Sequence, residues 1–188
     1  MSNLKQQGST VGFYSDDYNG WLLTQNHYTT GMVSGWKLYL APYIAKDYNP
    51  LSYYGFGAWD HTGVFLCPEW TYLPGTTILG DSYYGGYAWN KCMGSSYAIG
   101  AEFGRCKLGN ITKHSDTILI GDSGPDPTVA PDYDCSTLKP PRWLEYTYVP
   151  KHSKGFNILW ADFHVDWQTL PYLWNGKFGD RDYFYKQK

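Results

Sequence analysis

The stretch KHSKGFNILWADFHVDW, residues 151–167, constrains the fold more than any other part of the chain. Phe156, Ile158 and Trp160 alternate with Asn157, Leu159 and Ala161, and His164 and Asp166 alternate with Val165 and Trp167. A period of two is the mark of a strand, whose successive side chains point to opposite faces. The two runs meet at Ala161-Asp162-Phe163, so the segment predicts adjacent antiparallel strands with Asp162 at the bend. A short carboxylate suits that position because it hydrogen-bonds backbone amides. His152 stands just before the first strand and is expected to fold back onto the hairpin.

Elsewhere the chain is heavily punctuated. Its 188 residues include 21 Gly and 11 Pro, which favours many short elements in one domain, 1–188, large enough to bury a core. Leu4, Val11, Tyr14 and Tyr18 lie on one helical face, and Asn19-Gly20 supplies a left-handed stop, predicting a helix over about 2–19. Gly8 and Gly12 each weaken it by about 1 kcal/mol relative to Ala, so packing must hold it down. The sheet and loops are expected over about 35–188. GWKLYLAPYIAK predicts a short helix with Trp36, Leu40, Tyr43 and Ile44 on its stripe, kinked or ended by Pro42. Short strands are expected at 64–67, in SSYAIGAEF, and at 117–121, where an apolar β-branched run is bounded by polar residues. Residues 47–60 and 125–141 read as loops, and 71–91 as an irregular excursion or small hairpin.

The formal net charge of −2 and the absence of basic runs give no electrostatic pull toward nucleic acid or anionic lipid. No stretch is apolar for long enough to cross a bilayer. Cys67, Cys92, Cys106 and Cys135 include no CxxC pair, which argues against zinc and for two disulfides in an oxidising compartment. Three connectivities are open. The short loop favours Cys92–Cys106 and leaves Cys67–Cys135.

Six motifs then fall in one order: NLKQQGSTVGFYSDDYNGW, WKLYLAPY, FLCP, SSYAIG, SDTILIGDS and HSKGFNILWADFHVDW. Together they resemble the bacterial prepilin-like proteins that carry a C-terminal His, nine residues, then Asp-Gly, and that are related to the G-type pseudopilin of type II secretion. The resemblance runs from Asn3 to Trp167. It implies an α+β, pilin-like fold: an N-terminal helix packed on an antiparallel sheet, with long aromatic-rich loops. It further implies a non-catalytic structural subunit of a secretion or type IV pilus-like fibre. Such a subunit is anchored in the inner membrane by an apolar helix expected ahead of this segment, Met1 then being an added start, and its head is periplasmic or surface-exposed. Its partners are other pilin-type subunits, met through that helix, which is also its only membrane contact. One departure concerns the turn. Phe163 stands where the family has glycine, and because Phe resists positive φ, a different turn geometry is expected.

On this reading His152, Asp162 and His164 are structural, His152 and Asp162 pinning the turn. The competing chemistry is a metal held by Asp162, His164 and Asp166 at alternate positions, which a solvated strand face explains as well. No resident cofactor is expected. G-type pseudopilins hold calcium in a C-terminal loop, which makes Asp180 and Asp182 the calcium candidates, with Asp16, Asp17 and Asn19 as a second cluster. Neither matches an EF-hand loop, and exposed carboxylates are the ordinary reading of both. No GxSxG or phosphate-cradling loop is present. The alternative function rests on aromatics at 19% of the chain: a secreted carbohydrate-binding module stacking sugars on Trp21, Trp36, Trp59, Trp70, Trp89 and Trp143.

Overall fold

Residues 1–23, 27–29, 32–34, 36–44, 63–65, 67–69, 86–90, 93, 106–122, 137–138 and 152–169 are described by the computed structural model. Helix α1, Ser2–Asp17, buries Leu4, Val11 and Tyr14, three of the four residues on the expected stripe. Tyr18 lies just past the helix, half exposed, with its ring stacked on Tyr14 at 4.4 Å. The helix stops as predicted. Asn19 and Gly20 take φ of 54° and 84°, and the Gly20 N–H reaches back to the Ser15 carbonyl at 2.7 Å, satisfying an end-of-helix acceptor.

Helix α2, Trp36–Ile44, contains Pro42 and packs on α1. Tyr14 meets Tyr39 and Tyr43 edge to face, and the Tyr43 hydroxyl donates to Asp17 Oδ2 at 2.7 Å. Trp36, Leu40 and Ala41 are buried beneath it. Two three-residue strands, β1 (His27–Thr29) and β2 (Met32–Ser34), pair antiparallel between the helices.

The main sheet comprises β3 (Tyr87–Asn90), β4 (Ile118–Asp122), β5 (Thr137–Leu138), β6 (Gly155–Trp160) and β7 (Val165–Thr169). Their order is β5-β3-β4-β6-β7, antiparallel throughout except for the short parallel pair β3–β5. β4 and β6 are buried at every residue, which is why they read as apolar runs. Between Ile118 and Ile120 the β4–β6 register shifts, a bulge that adds twist to the middle of the sheet. The chain is thus α+β, with an N-terminal helix and a largely antiparallel sheet.

Helix and sheet meet where glycine leaves room. A Cβ on Gly8 would lie 2.8 Å from Leu159 Cδ1 of β6, and one on Gly12 would touch the Phe163 ring at 3.6 Å. The two glycines form a shallow groove one helical turn long, and the hairpin leans into it.

The hairpin is the predicted one, but its turn corrects the expectation drawn from Phe163. That residue adopts φ +68°, the left-handed conformation a glycine would supply, rather than a different geometry. Two things hold it there. Its ring packs against Gly12 and its Cβ against Gly8, and Asp162 Oδ1 accepts the His164 N–H at 3.1 Å and meets His164 Nδ1 at 2.5 Å. Tertiary contact thus overrides a local penalty of about 1–2 kcal/mol.

Two further expectations change. The strand at 64–67 is absent: Gly63–Phe65 is a single 3₁₀ turn, with Gly63 at φ +68°. Its carbonyls are taken by α1, Gln7 Nε2 donating to Val64 O at 2.7 Å and Asn3 Nδ2 to Gly63 O at 3.5 Å, while Phe65 packs on Trp36. Within 71–91, Tyr87–Asn90 is a fully buried strand, β3. SSYAIGAEF, the loop at 47–60 and most of 125–141 lie outside the described residues.

Candidate functional site

Each of three residues far apart in sequence reaches one point for a local reason. Asp122 ends β4, beside Tyr87 of β3 in the ladder. Cys67 follows the 3₁₀ turn that α1 holds, and it is fully buried. His152 faces Gly155 across a two-residue reversal, Ser153 and Lys154 both having positive φ, 52° and 67°. Reciprocal backbone hydrogen bonds close that reversal, His152 N–H to Gly155 O at 3.3 Å and Gly155 N–H to His152 O at 3.0 Å. This is the geometry of a tight hairpin turn, built here without the usual Asn-Gly. The Trp167 indole N–H donates to the same His152 carbonyl at 2.7 Å.

His152 Nε2 lies 3.2 Å from Cys67 Sγ and 3.4 Å from Asp122 Oδ2. Asp122 is inaccessible to solvent, while the His152 side chain keeps 22% of its exposure and forms the outer wall. Asp122 Oδ2 also accepts two hydrogen bonds from Asn157, from its backbone N–H at 2.5 Å and from Nδ2 at 2.9 Å. Asp122 Oδ1 has no hydrogen-bond partner among the described residues. Burial pushes the Asp122 carboxyl above its ordinary value, although the Asn157 hydrogen bonds and the His152 ring oppose this. Burial, with Cys67 and Asp122 close by, likewise raises the Tyr87 hydroxyl.

The arrangement is not a nucleophile relay. In a Cys–His–Asp relay the carboxylate bonds the ring nitrogen opposite the one facing the thiol. Here thiol and carboxylate converge on the same nitrogen, Nε2. What the geometry offers is one small space ringed by three different donors.

The expected constellation separates. Asp162 and His164 bond each other at the β6–β7 turn, and His152 bonds the hairpin through its backbone while its ring joins Cys67 and Asp122. His152 therefore does not pin the Asp162 turn. Asp166 turns from its neighbours to accept from Trp160 Nε1 at 2.7 Å and Gln168 Nε2 at 2.5 Å, so Asp162, His164 and Asp166 form no metal cluster. Asp17 is bonded to Tyr43. Asp180 and Asp182 lie outside the described residues, as do Cys92 and Cys135 and hence one member of each favoured disulfide. No bond joins the two described cysteines, Cys67 and Cys106, to each other.

Of the tryptophans named as sugar platforms, Trp36 and Trp89 are core residues, 1% and 0% exposed, with rings 6.1 Å apart. Trp21 is half-buried with Lys107 Nζ 5.0 Å over its ring, and Trp59, Trp70 and Trp143 lie outside the described residues. Sequence reasoning missed Asp122 and Tyr87. The available signal was an aspartate closing an otherwise apolar strand, ILIGD. Compared with protein families, curated proteins and solved structures, the chain matches none.

Proposed function

We propose that the chain is the globular head of a prepilin-like structural subunit. It serves a type II secretion or type IV pilus-like fibre in the cell envelope and does no catalysis. One observation carries the reading. The hairpin bearing His152 and Asp162, the last of the six motifs in the resemblance, is also the element on which α1 rests, through Gly8, Gly12, Leu159 and Phe163. The residue after Asp162, Phe163, takes a left-handed conformation of the kind glycine readily supplies, which is compatible with the resemblance despite the departure in sequence. A helix held on a sheet in this way is suited to carry an apolar extension into a fibre core while the sheet faces outward. The carbohydrate-binding alternative loses two of its six platforms to the core, Trp36 and Trp89.

The test is the native gene upstream of Ser2, followed by co-expression of its product with a prepilin peptidase. The expected result is a short basic leader, about 20 apolar residues, and a mass loss equal to the leader. A conventional secretory signal or a preceding catalytic domain overturns the proposal and leaves a secreted aromatic-rich binding module.

A further inference from the structure

We propose that Cys67, Asp122 and His152 form a zinc site with one coordination position open to solvent. The inference does not rest on the structural-subunit reading. It rests on the donor atoms, which all lie within 4.8 Å of one another. Zinc bonds of about 2.3 Å to sulfur and 2.0–2.2 Å to nitrogen and oxygen, set tetrahedrally, separate neighbouring ligand atoms by roughly 3.3–3.6 Å. The observed separations from Nε2 are 3.2 Å to sulfur and 3.4 Å to oxygen. Both separations from Nε2 thus fall within a few tenths of an ångström of tetrahedral ligand spacing, and the sulfur and the carboxylate stand no more than 4.8 Å apart.

One hydrogen bond from His152 cannot serve both of its neighbours in this cluster. A single N–H at Nε2 cannot point at both Sγ and Oδ2, and Asp122 Oδ1 has no hydrogen-bond partner among the described residues, although its residue is wholly buried. A cation can be shared by all three ligand atoms at once, as one N–H cannot. Charge selects the ion: a thiolate, a carboxylate and a neutral imidazole together balance a divalent cation, which removes the cost of an uncompensated buried charge. Donor type narrows it further. One sulfur and one imidazole suit zinc and exclude calcium, which takes six to eight oxygens.

The surroundings are built to orient these ligands. Asn157 fixes the carboxylate with two hydrogen bonds, and the Trp167 indole fixes the His152 backbone. The partial exposure of His152 leaves a side from which water can complete the shell. Zinc there would tie the end of β4 and the start of β6 to the turn that α1 holds. It would also require Cys67 as a thiolate, so a Cys67–Cys135 disulfide and the metal exclude each other.

The experiment titrates metal-stripped, reduced protein with Zn²⁺ alone by calorimetry, and with Co²⁺ as a spectroscopic probe. The expected result is 1:1 uptake and a thiolate-to-cobalt charge-transfer band that Cys67→Ala abolishes. His152→Gln is expected to weaken zinc affinity by more than about tenfold, and His164→Ala to leave it unchanged. Should Cys67→Ala fail to fold, His152→Gln, at a partly exposed ring, keeps the test decisive. The proposal is overturned by absent stoichiometric uptake, by a cobalt band that survives Cys67→Ala, by uptake lowered equally in His164→Ala, or by a Cys67–Cys135 disulfide in the isolated protein.

Discussion

Phe163 shows two residue-scale forces in opposition. Its positive φ costs about 1–2 kcal/mol for a residue with a Cβ, while its half-buried ring gains packing against Gly12. Phe163→Ala removes the packing and keeps the strain, so it is expected to lower stability by about 2 kcal/mol. Phe163→Gly removes both and should recover about 1 kcal/mol of that loss. Paired urea melts check the order, and a Gly variant less stable than the Ala variant contradicts the account. The neighbouring Asp162 makes a prediction in pH. Burial pushes its carboxyl up, but hydrogen bonds from the His164 ring and backbone N–H outweigh this and hold it below the ordinary 3.8. An aspartate with a depressed native pKa loses its contribution as the medium acidifies, because the unfolded chain binds the proton first. Its stabilisation is therefore whole above that ordinary value and disappears as pH falls through the lower native one. Asp162→Asn should be less stable than the parent near neutrality, with the gap in urea midpoints closing as pH falls below the ordinary 3.8.

At the scale of elements, glycines govern how closely backbones approach, and three positions give three different outcomes. At Gly155 an added Cβ would sit inside the Trp167 indole and 2.6 Å from the Gln168 backbone carbonyl. Gly155→Ala is expected to cost about 3 kcal/mol or more by forcing β6 and β7 apart. It should also displace His152, whose carbonyl the same indole holds. At Gly12 a Cβ meets only ordinary contact with Phe163, so Gly12→Ala should stabilise by about 0.5–1 kcal/mol through helix propensity. Gly8 lies between, facing the movable end of Leu159. Thermal melts of the three variants should rank in that order. The elements legible in the sequence were those specified by nearby residues. The hairpin followed from its period of two, β4 from its apolar run, and the end of α1 from Asn19-Gly20. β3 was not legible because four residues, YAWN, carry no period and follow directly on a run of tyrosine and glycine. The run at 64–67 misled because all four of its residues are apolar, and only the carbonyls taken by Gln7 and Asn3 reveal a turn.

Across the whole molecule, the candidate site escaped sequence reading because every donor had a local explanation: a cysteine for a disulfide, an aspartate closing a strand, a histidine bracing a hairpin. Ligand-spacing rules detect sites assembled from neighbouring residues, whereas this one is assembled by tertiary structure. The separation has a temporal meaning too. Cys67 precedes His152 by 85 residues, so during synthesis at about 5–20 residues per second the thiol waits roughly 4–17 s before its imidazole exists. Cys92 and Cys106 are made within that interval, and His152 is not. A newly made Cys67 can therefore meet another thiol before it meets its imidazole, and a metal in the finished molecule requires that sulfur to stay reduced while the last third of the chain is still being made.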